Sequence, residues 1–61
     1  MKLTESQVNE LRRLKAYFPY RVVFGAISPS GEWEANAQPT KRRALSLARK
    51  GWAVCIYEAQ A

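Results

Sequence analysis

Apolar residues in the first third of the chain recur at three- and four-residue steps. At about 100° per residue, Val8, Leu11, Leu14 and Phe18 share one helix face, with Asn9, Glu10, Arg12, Arg13 and Ala16 on the other. Thr4 and Gln7 have the spacing of a capping box, and Leu3 with Val8 that of a hydrophobic staple. Pro19 ends the pattern, because the residue before a proline is driven toward extended geometry. The pattern predicts a first helix over residues 5–17.

Residues 20–27 (YRVVFGAI) are β-branched and aromatic and predict a strand. Ser28-Pro29-Ser30-Gly31 is turn chemistry, with proline setting φ early and glycine free to take a positive φ late. Residues 32–37 (EWEANA) then alternate, with Trp33, Ala35 and Ala37 on one face and Glu32, Glu34 and Asn36 on the other. A four-residue loop pairs Ile27 with Glu32. That register sets Ala26 opposite Trp33, Phe24 opposite Ala35 and Val22 opposite Ala37, so that large side chains meet small ones. Trp33 and Phe24 would then share the core face.

Gln38-Pro39-Thr40 closes the second strand, and Thr40 is the expected N-cap of a second helix. Ala44, Leu45, Leu47 and Ala48 form its apolar stripe, and Gly51 is the natural residue to end it. Residues 52–58 (WAVCIYE) are apolar on both faces, as in a strand covered twice or lying at an interface. A strand–helix–strand crossover is right-handed, which makes the third strand parallel to the second. Placing the most apolar strand in the middle gives an α+β fold: a small two-layer αββαβ domain over residues 1–61, its three-stranded sheet in the order 2-1-3. Both helices are expected on one face of the sheet.

Composition narrows the chemistry. Apolar residues make up 48% of the 61, enough for one small core but not for a large one. Ten Lys and Arg face five Glu, a net charge of +5, with no Asp and no His. Without His the usual general base and metal ligand near neutral pH are missing. Cys55 is the single cysteine, so it forms no internal disulfide, and mid-strand without an activating neighbour it reads as an inert thiol. Glu32 and Glu34 lie about 6–7 Å apart on one strand face, a solvated pair rather than a catalytic dyad. Gly25, Gly31 and Gly51 make no phosphate-cradling loop, and zinc-finger, RNP, GxxG and helix-turn-helix patterns are missing. The expectation is a protein that is not an enzyme and uses no cofactor or metal. No signal-type apolar core and no membrane-length apolar run is present, which with a lone thiol predicts a cytoplasmic, non-membrane protein.

The second helix carries the sharpest functional signal. Lys41, Arg42, Arg43, Arg49 and Lys50 place five cations and no acid in ten residues, and Arg42, Arg43, Ser46, Arg49 and Lys50 cluster opposite the apolar stripe. A merely solvated helix mixes signs and gains from Glu–Lys pairs. Three cations in the first turn also oppose the helix dipole, each at about 0.3–1 kcal/mol when exposed. Such a face, and the free amides at its start, suit phosphates. Arg12 and Arg13 on the first helix extend the patch if the helices lie side by side. A second candidate surface is the sheet face that two helices on one side leave open. There Arg21, Val23, Ile27, Cys55 and Tyr57 are expected to line a protein interface or a homodimer contact. The function predicted is a small basic binding protein contacting nucleic acid through the second helix. The alternative is a protein-binding accessory factor, an inhibitor or adaptor of the phage or prophage kind, docking on an acidic surface of a larger host protein.

Overall fold

The computed structural model describes residues 2–59 and follows the predicted order: α1 (Glu5–Tyr17), β1 (Val22–Ile27), β2 (Trp33–Gln38), α2 (Arg42–Arg49) and β3 (Ala53–Tyr57). The capping box starts α1 as its spacing requires. Thr4 Oγ1 accepts from the Gln7 amide at 3.2 Å, and the Gln7 side chain accepts from the Thr4 amide at 2.9 Å. Two donors that a helix start leaves unpaired are thereby satisfied. The Phe18 amide still donates to the Leu14 carbonyl at 2.8 Å, and Phe18 has left helical dihedrals just ahead of Pro19.

β1 is central and antiparallel to both neighbours, so the sheet order is β2-β1-β3, with β2 and β3 parallel to each other. This agrees with the order read from the pattern. The β1–β2 register does not. Ile27 lies opposite Trp33, Gly25 opposite Ala35 and Val23 opposite Ala37, one residue away from the expected pairing. The turn is the reason. Ser28 donates to the Glu32 carbonyl at 2.8 Å, which leaves three loop residues, Pro29-Ser30-Gly31, instead of four. The Gly31 amide donates to the Ser28 carbonyl at 2.9 Å, and Gly31 then takes φ 95°. That is a β-turn closed by a left-handed residue, the usual three-residue hairpin loop. Ser28 Oγ accepts from the Glu32 amide at 2.9 Å, so this buried hydroxyl is satisfied within the turn.

A one-residue shift moves every β2 side chain to the other face of the sheet. Trp33 therefore lies on the side of Val23 and Gly25, not of Phe24. Only glycine fits beneath it, because a Cβ on Gly25 would run into Trp33 Cη2 and lie 2.8 Å from Cζ3. The indole nitrogen of Trp33 donates to Glu10 Oε2 at 2.8 Å, which fixes α1 over this face. Glu34, the next residue of β2, points to the opposite face and meets Arg43 of α2. The helices thus flank the sheet on opposite sides, and the expected two-layer arrangement with both helices on one face is corrected to three layers. The cause is the sheet itself: both faces of β1 and β3 are apolar, and each needs a cover.

Two packed regions result. Under α1, Leu11 and Val23 are fully buried. Under α2, Phe24 and Ala26 meet Ala44 and Leu47, with Trp52, Val54 and Ile56 packed around them. Each large side chain so buried contributes about 1.5–3 kcal/mol. α2 ends as its glycine requires: Gly51, at φ 91°, donates to Ala48 O, and Trp52 donates to Leu47 O, both at 3.1 Å. This pair of bonds is a Schellman motif, and Trp52 packs on the same cluster as Leu47.

Candidate functional site

α2 is held by two buried side chains only, Ala44 and Leu47. Of its other positions Ser46 is half-buried and the rest are exposed. The helix begins at Arg42 with Lys41 as N-cap, one residue later than expected, although Thr40 Oγ1 still accepts the Arg42 amide at 3.3 Å. Leu45 and Ala48, assigned to the buried stripe from the sequence, are exposed, Leu45 at 55%. α2 lies over β1 and β3, and an eight-residue helix on so small a sheet buries a narrow stripe.

Arg42, Leu45, Ser46 and Arg49 follow i, i+3, i+4 and i+7 spacing and form one outward ridge. With Thr40 and Lys41 they line a shallow groove of about 590 Å³. Three cations stand in it and no carboxylate. Arg42 and Arg49 are separated by about 10 Å along the axis. The structure therefore brings Lys41, Arg42, Ser46 and Arg49 onto one surface, while Lys50 is exposed at the helix end outside the groove. Arg43 is turned away: its Nη2 donates to Glu34 Oε1 at 3.3 Å and its Nε to Glu34 Oε2 at 3.4 Å. Leu45 and Thr40 are the groove residues that the sequence reading did not place in the site, having given them to the buried stripe and the helix cap. The 3- and 4-residue steps from Arg42 to Arg49 were the signal for Leu45.

Arg12 and Arg13 do not extend this patch, because α1 lies on the other side of the sheet. Arg12 donates to Asn9 Oδ1 at 3.3 Å. Arg13 shares a depression with Glu5, Ser6, Asn9 and Glu10, where two carboxylates offset its charge. The expected open sheet face is likewise absent, since α1 is its cover. Val23 is fully buried there, and Ile27, Cys55 and Tyr57 are half-buried. Arg21 is exposed at the edge, its guanidinium 5.6 Å from the centre of the Phe18 ring. A homodimer through this face would have to displace α1.

Among the described residues, no three His, Cys, Asp or Glu side chains are grouped so as to hold a metal ion. No helix among them is long and apolar enough to cross a membrane. Comparison with protein-family models, with curated proteins and with solved structures finds no match in any of the three.

Proposed function

We propose that this chain is a small, non-catalytic protein that binds nucleic acid with the outer face of α2. The groove between Arg42 and Arg49 carries the proposal, because it gathers three cations and, among the described residues, no carboxylate lines it. Lys41, Arg42, Arg49 and Lys50 are the four charges free to meet phosphates once Arg43 is engaged by Glu34. Phosphate contacts of this kind position a protein without reading sequence. The same reading places the protein in the cytoplasm, where a single thiol stays reduced.

Four neutralised phosphates give a log–log salt slope of roughly −3 to −4. Replacing Arg42 and Arg49 together with Gln should weaken binding alike on all sequences and flatten that slope by about two, with folding intact. Fluorescence anisotropy of a labelled oligonucleotide across a salt series measures both quantities. Absence of binding at low salt, or an unchanged slope in the double variant, refutes the proposal.

A second reading has one observation of its own, the exposed Leu45 amid these cations. An accessory factor of the phage or prophage kind, docking on an acidic protein surface, would use that leucine as its apolar anchor. Leu45→Ala separates the two, since it leaves phosphate contacts in place and removes the anchor.

A further inference from the structure

We infer that the corner joining α1 to β1 is a stacking platform for unpaired bases, so that the nucleic acid bound is single-stranded. The inference rests on the nucleic-acid reading above and adds a second contact surface to it. Tyr17, Phe18 and Tyr20 surround Pro19, and they are 83%, 41% and 99% exposed. No core claims them. A single exposed tyrosine is ordinary, but here three exposed aromatic side chains occupy one turn and form a contiguous patch, the kind of surface that marks a binding site.

The corner is held in shape. The Arg21 amide donates to the Phe18 carbonyl at 3.1 Å, closing a turn around Pro19 and Tyr20. Lys15 Nζ donates to the Arg21 carbonyl at 3.0 Å, tying the last turn of α1 to the start of β1. The Tyr17 and Phe18 rings are 6.2 Å apart and tilted by 42°, and the Arg21 guanidinium lies over Phe18. Aromatic side chains have few rotatable bonds, so presenting them costs little ordering entropy on binding. Next to the corner lies a shallow depression of about 390 Å³, lined by Arg12, Lys15, Ala16, Pro19, Tyr57 and Ala59, with room for a planar ring.

Charge selects the occupant. Arg12, Lys15 and Arg21 stand at this corner, against one carboxylate, Glu58, which follows Tyr57 at the end of β3. Phosphates and flat π-faces are both satisfied by one ligand class, a nucleic acid whose bases are unstacked. A duplex offers the phosphates but keeps its bases inside. Topology then joins this corner to the α2 groove. Val22 pairs with Gln38, the last residue of β2, and Val23 with Tyr57, the last of β3. Arg21 and the start of α2 at Lys41 and Arg42 therefore leave the sheet at the same end. The molecule measures only 31 Å along its longest axis, so one short strand can reach both.

The test compares labelled dT15 with the dA15·dT15 duplex by anisotropy, for the wild-type chain, Tyr17→Ala/Tyr20→Ala, Tyr20→Phe and Arg42→Gln/Arg49→Gln. Wild-type protein should prefer dT15. The double tyrosine variant should lose roughly 5- to 150-fold on dT15 for each ring that stacks, keep the salt slope, and leave duplex binding unchanged. Tyr20→Phe, which retains the ring, should stay within about twofold of wild type. Circular dichroism verifies that these exposed substitutions leave the fold intact. Preference for duplex, or equal loss on both ligands, overturns the inference. If the arginine variant weakens both ligands while the tyrosine variant changes neither, the α2 surface stands and the stacking corner falls. If only the tyrosine variant loses dT15, the corner stands and the α2 surface falls. Poly-glutamate serves as the protein-like probe: binding as tight as that of dT15, with the same loss in the tyrosine variant, would assign the corner to an acidic protein instead.

Discussion

Gly25→Ala tests the register and the three-layer arrangement together. Gly25 is not among the positive-φ glycines, so alanine fits its backbone and by chain entropy alone should stabilise by about 0.4–1 kcal/mol. Packing reverses the sign. The added methyl would overlap the Trp33 ring at Cη2, with Cζ3 at 2.8 Å and Cζ2 at 3.1 Å. The indole is held from the far side by its bond to Glu10, so it cannot yield without loosening α1. Overpacking of this kind costs about 1–3 kcal/mol. Losing the exposed Trp33–Glu10 bond adds about 0.5–1.5 kcal/mol. The net expectation is a loss of about 0.5–4 kcal/mol from a total that, at this chain length, is roughly 3–9 kcal/mol. Each kcal/mol lowers Tm by about 4–8 °C in a domain of this size. Urea melts followed by circular dichroism measure the loss. In a Trp33→Ala background the clash is gone, and the same Gly25→Ala change should become neutral or stabilising. A neutral or stabilising Gly25→Ala in the wild-type background would refute the reasoning, because it would mean that Trp33 does not lie on Gly25.

Two further outcomes follow from local contacts. Thr4→Ala removes the acceptor of the Gln7 amide and should cost about 0.5–2 kcal/mol in a thermal melt; a neutral change would show that α1 is not held by its cap. Glu34→Gln releases Arg43 to the surface of α2 and should steepen the salt slope of oligonucleotide binding by about one. Its effect on stability should stay below about 1 kcal/mol, since the pair is partly solvated. An unchanged slope would mean that Arg43 cannot reach the phosphates even when free.

Much of the fold was legible because its signals act within a few residues. Thr4 and Gln7, Pro19, the Pro29–Gly31 turn and Gly51 each impose a boundary through a local hydrogen bond or a dihedral preference. The strand order also followed, from the apolarity of residues 22–27 and the handedness of the crossover. The cationic face of α2 was readable for the same reason, since charge at helical spacing is a property of one element. The tertiary structure decided what depends on which element covers which face. A strand such as VVFGAI has no polar position to mark a solvent side, so alternation alone could not say where α1 and α2 lie. The register turned on one loop residue and on the single position, Gly25, that could accept an indole. Packing on opposite faces then buried Val23, separated Arg12 and Arg13 from α2 and left Leu45 in water. Contact across the sheet drew Arg43 to Glu34. These outcomes depend on residues far apart in the chain, and only the folded sheet brings them together.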